Sequence, residues 1–471
     1  MGCSATSDPS LPGSHADKHN DRNGAPAGRA FLKTAGSASA PPSIDCGGVP
    51  PPDTIRKRAL HSRTKTLILL VFVSSLAAFA GSRLADSLLG ADFPDFYCAA
   101  RMLAEGHGHQ LYDAEVQRQY QARYAGRVGT LYIHPPFEAV LYLSVAWLPL
   151  RPAYLLWSFL NLAVLAAGVR RLANEGLLPW DWRIALATSL TFVPLLLCLV
   201  QGQDSLLLLL LVVLAFATLQ RGRSFSAGCW LGLGLFKFQL VLPLLLVLVL
   251  TQRRSARSAL AKGFSLVALA LGGLSAAISG WSVFTVYPKF LAHLRTQSFA
   301  GITPQAMANF RGLTSFLFHR DQSLWAVAAV SILSAAALIK TLTGWKHVRL
   351  APYLSLDLSP VEPVEFDVAF ANTVLFALLV SYHLNPHDLS LLLLPMVLLL
   401  RDTAQTTPSL TNSRRWWMIA LSAVLFLPPL HLLALQAHVY ALVSIPLIAL
   451  FAVSTFWGTE KTRKAGSALL S

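Results

Sequence analysis

Two carboxylates, Asp92 and Asp95, sit in the stretch "ADFPDFYCAARM" (residues 91–102), just where a long apolar run ends. At a membrane boundary the lowered dielectric raises a carboxylate's pKa and makes it a better proton acceptor, so one of the pair can serve as a general base. The competing reading is local. The segment "DFYCAARMLAEG" begins with an acid and ends with Gly106, the pattern of a capped helix, and either aspartate can supply the cap. Lys237 poses a similar choice, because a charge inside "GLGLFKFQLVLP" costs about 2.5–3.5 kcal/mol on insertion scales. Its ammonium either neutralises a phosphate, where Gly232 and Gly234 let a ligand approach the backbone, or snorkels to the interface.

Three further segments carry polar groups between apolar runs. "SYHLNPHDLSLLLLP" (381–395) gathers His383, Asn385, His387 and Asp388, and Pro386 breaks any helix there. Two histidines and an aspartate can bind zinc, but the spacing is generic and no metal is expected; a polar turn and a phosphate or sugar site are the other readings. "SFAGITPQAMANFRGLTSFLF" carries Asn309 and Arg311, and arginine holds phosphate bidentately, although a loop arginine at a headgroup surface is common. "VQGQD" (200–204) adds Gln201, Gln203 and Asp204.

The elements that must position these groups are membrane helices. Hydrophobic residues make up 54% of the 471 and charged ones only 13%, far from a soluble protein of this size. The mean hydropathy of +0.53 agrees. Runs such as "LLLLLLVVLAFATL" do not alternate in polarity, which excludes a closed barrel and leaves an all-α polytopic membrane protein as the expected fold class. The net charge of +15 does not point to nucleic acid. Its lysines and arginines punctuate the ends of apolar runs, at Arg56–Lys65, Arg170–Arg171, Arg221–Arg223, Arg253–Arg257, Lys346–Arg349, Arg414–Arg415 and Lys461–Lys464.

Taking each basic cluster as cytoplasmic predicts about twelve spans with both termini inside. A first span over 67–89 runs outward and leaves a helix-containing outer loop to about residue 135. One broken crossing over 137–168 returns, and spans near 182–199 and 204–220 place "VQGQD" at the outer surface. The roughly 27 residues between "QRGR" and "TQRR" are too few for two full crossings, so a short helical hairpin or broken pair with Gly232, Gly234, Lys237 and Pro243 near its bend is expected. Spans near 259–280, 322–342, 366–384, 388–400, 416–435 and 438–457 complete the set. On this map Asp92, Asp95, Gln203, Lys237, Arg311, His383, His387 and Asp388 all lie at or near one outer face, as a shared site requires.

Residues 1–58, rich in Ser, Gly, Pro and Ala, are expected to be a disordered cytoplasmic tail, 59–458 the integral-membrane domain, and 459–471 a second cytoplasmic tail. "MGCSAT" formally matches a myristoylation pattern, with Cys3 as a palmitoylation candidate, but a match this short is expected by chance. The five cysteines, Cys3, Cys46, Cys98, Cys198 and Cys229, show neither metal-ligand spacing nor a paired framework.

In order, "ADFPDFYCAARMLAEGHGHQLYD", "YIHPPFEAVLYLSVAWLPLRPAYLLWSFLNL" and "VQGQDSLLLLLLVVLAFATLQRGRSFSAGCWLGLGLFKFQLVLPLLLVLVL" resemble the glycosyltransferase family 87 proteins, and the likeness extends over about residues 65–400. The resemblance implies a GT-C-like bundle in the cell membrane. It implies inverting transfer of a hexose, mannose by family default, from a polyprenyl-phosphate sugar to a lipid or glycan acceptor on the extracytoplasmic face. It implies no cofactor, no metal and no nucleotide sugar; the partners are the donor, the acceptor and the surrounding membrane lipids. An aspartate in the first outer loop, ahead of an aromatic pair, is the family's expected base and maps onto Asp92, since Phe96 and Tyr97 follow; Asp95 is the reserve. Lys237, His387 and Arg311 are the candidates for the leaving-group side, with Gln203, His383 and Asp388 as further substrate-site residues. Where the family shows adjacent histidines this chain has "HLNPHD", so the roles of His383 and His387 stay open.

The residues support that chemistry without the name. An inverting transfer needs one base for the acceptor hydroxyl and cations beside the departing phosphate. A phosphate already leaves well, so no carboxylic acid partner is required, unlike glycoside hydrolysis. The alternatives are a transporter or lipid flippase, which predicts two halves of similar hydropathy that this sequence lacks, and a polymer ligase, which predicts a large basic outer loop late in the chain.

Overall fold

A computed structural model describes residues 92–126, 128–294, 303–319, 323–354, 363–404 and 412–455. The two expected tails, the myristoylation pattern and the first expected span all lie outside the described residues. Within them every regular element is helical, as backbone in hydrocarbon requires, since a helix satisfies its own N–H and C=O groups.

The segment before residue 135 comes first. Helix α1 (Phe93–Ala104) begins at Asp92 and carries Pro94 in its first turn; the Asp92 side chain makes no capping bond. Helix α2 (Ala114–Ala125) is capped by Asp113 Oδ1, which accepts from the Glu115 and Val116 amides, and is ended by Gly126 at φ 67. The segment expected to contain helix is thus helical. Helices α3 (Pro136–Ala146) and α4 (Leu150–Asn174) follow, separated at "WLPL" where the sequence predicts a break. These segments share an aromatic core in which Phe96 stacks on Tyr142 with centroids 4.6 Å apart and Tyr142 packs on Trp157 at 4.1 Å.

Helices α5 (Trp182–Ser189) and α6 (Val193–Gln201) meet at a 76° bend, and Pro194 opens the second of them. Helix α7 (Ser205–Gln220) follows. Helix α8 (Ser224–Leu233) then passes through one 3-10 turn, Gly234–Lys237, into α9 (Phe238–Thr251). Here the structure corrects the sequence reading. The expected hairpin is one apolar run of 28 residues, Ser224–Thr251, with Lys237 near its middle. The basic clusters 221–223 and 253–257 therefore lie at opposite ends of one helical run that is long and apolar enough to cross a membrane. The glycines that suggested a bend instead admit neighbours: a Cβ on Gly232 would lie 2.8 Å from Val267 Cβ, and one on Gly234 2.8 Å from Leu208 Cδ1. A Cβ on Gly228 would lie 2.1 Å from the Leu260 carbonyl oxygen, and one on Gly263 2.1 Å from that of Phe225. Helices α8 and α10 (Arg254–Ser279) thus cross backbone against backbone, the close approach that small residues permit in membranes.

The rest of the chain forms α11 (Val283–Leu294), α12 (Phe310–Phe318), α13 (Leu324–Leu354), α14 (Pro363–Val380), a 3-10 turn Pro386–Leu392 leading into α15 (Leu393–Ala404), the bent pair α16 (Asn412–Phe426) and α17 (Pro428–Gln436), and α18 (Ser444–Thr455). Leucine- and valine-rich faces of α7, α9, α14 and α15 build the main apolar core. Among the described residues four helices are long and apolar enough to cross a bilayer, or six if each bent pair is one span. The expected twelve is a larger number, and several of its members are helices of 10–17 residues, such as Ser205–Gln220.

Candidate active site

The turn between α6 and α7 organises the polar groups. Gly202 adopts φ +66, which ends α6, and a Cβ there would lie 2.7 Å from Phe93 Cβ, so the start of α1 docks directly on this turn. The turn's carbonyls are satisfied from α4: Trp157 Nε1 donates to the Gly202 oxygen at 2.8 Å, Asn161 Nδ2 to that of Gln203 at 2.9 Å, and Tyr154 Oη to that of Val200 at 2.8 Å.

This docking puts Asp92 beside Gln203. Gln203 Nε2 donates to Asp92 Oδ2 at 2.8 Å, and its Oε1 accepts from Lys237 Nζ at 3.3 Å. The lysine fixes which way the amide faces, because an ammonium can only donate. Asp92 Oδ1 has no donor among the described residues, and the side chain lines a pocket of about 90 Å³, several times the space one water needs. Burial pushes the Asp92 carboxyl above its ordinary value, while the Gln203 hydrogen bond pulls it back down.

The other sequence candidates separate into two groups. Asp95, Gln203 and His383 line the same pocket, with Thr130, Tyr132, His134 and Asn385. Asp95 is tied down: Oδ1 accepts from Gln121 Nε2 at 2.9 Å and Oδ2 from Thr130 Oγ1, which fastens α1 to α2 and to the segment after it. Arg311 stands beside His383; its guanidinium covers the Tyr382 ring at 4.0 Å and donates to the Tyr382 carbonyl at 2.9 Å. Asn309 caps α12, accepting from the Gly312 amide, and donates to the Ser381 carbonyl.

Lys237, His387 and Asp388 lie behind the pocket wall rather than on it. Lys237 is 2% exposed, with Nζ 2.9 Å from Asp388 Oδ1 and 3.4 Å from Asp204 Oδ1, so its three protons face protein acceptors. Asp388 also accepts from Ser205 Oγ and, at Oδ2, from the Asn385 amide that it caps. His387 turns Nδ1 to Gln201 Oε1 at 2.6 Å. Of the two histidines left open by "HLNPHD", His383 is the one that faces the pocket. Burial lowers His383 to about 4, so its imidazole is neutral at neutral pH.

Sequence reasoning assigned no role to His134 and Glu138. His134 Nδ1 lies 2.9 Å from Oε1 of Glu138, whose carboxyl is 0% exposed. Burial lowers His134 to about 4 as well. The available signal was an acid four residues after a histidine, in the first turn of an apolar helix, since a carboxylate at membrane depth marks function.

The fold and the pocket are those of a helical membrane protein with carboxyls at a polar cavity. The chain belongs to glycosyltransferase family 87, whose sequence profile matches residues 132–381, and it is a glycosyltransferase acting between a sugar donor and an acceptor. No curated protein and no solved structure matches the chain. The matched stretch contains His134, Glu138, Gln203, Asp204, Lys237 and Arg311, and stops short of Asp92 on one side and of His383 on the other.

Proposed function

We propose that this glycosyltransferase moves a hexose, mannose in the first instance, from a polyprenyl-phosphate sugar to a hydroxyl of a lipid or glycan acceptor, at the extracytoplasmic face of the cell membrane and with inversion. The observation that carries this reading is the carboxylate of Asp92, held at Oδ2 by Gln203 and open at Oδ1 to the pocket. The acceptor oxygen attacks the anomeric carbon as the bond from that carbon to the phosphate oxygen breaks. The polyprenyl phosphate leaves with the electron pair, and the hydroxyl proton passes to Asp92. One base suffices, and the family expectation of no cofactor and no metal fits that scheme. His383, which lines the pocket, and Arg311, which stands beside it over the Tyr382 ring, take the donor phosphate. Lys237 and Asp388 act from behind the wall by holding Gln203 and the 385–388 turn in place. His387 supports that turn through Gln201.

The test is turnover of polyprenyl-phosphate mannose with lipid acceptors by the purified protein. Asp92→Asn is expected to lose about 10²–10⁴-fold, the usual contribution of a general base. Asp95→Asn, whose carboxylate serves Gln121 and Thr130, is expected to stay within about tenfold of wild type because its oxygens are structural. Full turnover by Asp92→Asn would remove the assignment of the base.

A further inference from the structure

His134, Glu138 and Asp204 have no part in the transfer just described, yet they connect the pocket to the buried lysine. The His134 side chain lines the pocket and is 22% exposed, whereas Glu138 and Asp204 are each 0% exposed. Those two carboxyls are buried close to each other, and two acids so placed repel until one of them holds a proton. Apart from His134 Nδ1 at 2.9 Å and Lys237 Nζ at 3.4 Å, their four buried oxygens have no donor. Charge matching agrees. Asp388, at 2.9 Å, already balances Lys237, so two further ionised carboxylates would stand uncompensated at full burial. With one proton held between Glu138 and Asp204, the Glu138 oxygen facing the imidazole is an acceptor. His134 then carries its proton on Nδ1 and presents the lone pair of Nε2 to the pocket. Phe96, with its ring centroid 4.8 Å away, and Tyr132, at 5.6 Å, fix the plane of the ring.

We propose that His134 is a ligand-binding residue of this pocket, accepting at Nε2 a hydrogen bond from a substrate hydroxyl close to Asp92, and that Glu138 is a positioning residue that sets its tautomer. The inference rests on the pocket being the glycosyl-transfer site. The ligand chemistry is a hydroxyl, carried either by the donor sugar or by the acceptor.

The experiment uses the full chain in lipid nanodiscs, with polyprenyl-phosphate mannose as the probe. It measures the probe's Kd, the acceptor's KM and the melting temperature of each variant. His134→Ala is expected to weaken one of the two binding constants about tenfold, the value of one hydrogen bond, without a matching loss of melting temperature. A weaker probe Kd assigns the bond to the sugar, and a higher KM assigns it to the acceptor. Glu138→Ala should reproduce the loss. Glu138→Gln should stay within about threefold of wild type, since the amide oxygen can accept from Nδ1. If Glu138→Ala does not fold, His134→Ala and Glu138→Gln decide the matter. Unchanged Kd and KM in His134→Ala would overturn the proposal, as would a loss in Glu138→Gln equal to that of His134→Ala. Failure of the wild-type protein to bind the probe would defeat the donor reading and this inference together, and that result arises before any substitution is made.

Discussion

Replacing Lys237 with methionine keeps the length of the side chain and removes the charge that faces Asp388 at 2.9 Å and Asp204 at 3.4 Å. Deleting one partner of a buried ion pair costs about 3–5 kcal/mol, because the other charge is left without compensation. Asp388 keeps Ser205 Oγ and the Asn385 amide as donors, each at 2.9 Å, which places the expected loss near the lower end, about 3 kcal/mol. The double variant Lys237→Met/Asp388→Asn removes the stranded charge and should recover about half of that loss, since a neutral amide keeps part of the same hydrogen bonding. Unfolding of the purified protein by sodium dodecyl sulfate in mixed micelles, followed by tryptophan fluorescence, measures both. A single variant as stable as wild type within about 0.5 kcal/mol would show that water reaches the lysine and that the burial argument fails. A double variant that is the plain sum of its two singles would refute the coupling.

The acid limb of kcat/KM should lie above the ordinary carboxylate value of about 3.9, because burial raises Asp92 and a base is inactive while protonated. Gln203→Leu removes a hydrogen bond that favours the ionised form, so the limb should move to still higher pH; a pH–rate profile of the two proteins checks the sign. Gly263→Val places a side chain against the Phe225 carbonyl and should lower stability by about 3 kcal/mol, the upper end for overpacking, in the same micelle titration. A cysteine introduced at Gln110, in the outer loop, should react with a membrane-impermeant thiol reagent applied from outside intact cells. Protection there would move the site to the other face.

Composition and apolar runs made the all-helical class legible, and the acid-then-Gly106 pattern located α1 to within a few residues. The helices α1 and α2 and the α3–α4 break were legible for the same local reasons, since proline and glycine act within one turn. The 224–251 segment was misread because its glycines and Lys237 look like a bend when only the chain itself is considered. Their purpose is the approach of α10 and the anchoring of Asp204 and Asp388, contacts that neither periodicity nor spacing carries. The same limit hid the division of labour in the site. Sequence order suggested that Lys237, His387 and His383 stand together before a ligand, whereas side-chain direction turns the first two into the wall and leaves His383 at the pocket. His134 and Glu138 went unassigned because their chemistry depends on Asp204, 66 residues after Glu138 by the numbering.

Asp92 is separated from its hydrogen-bond donor by 111 positions, and Ser205 from Asp388 by 183. Synthesis runs from the N-terminus, and helices enter the bilayer in turn, so the acid is in place long before the groups that orient it. Until the turn preceding α15 has arrived, Lys237 lacks Asp388, its nearest acid, and is held by Asp204 and Gln203 alone. Under the proposed mechanism, a nascent chain, or a fragment truncated before residue 388, is expected to show no transferase activity. Assembly itself acts as the safety catch.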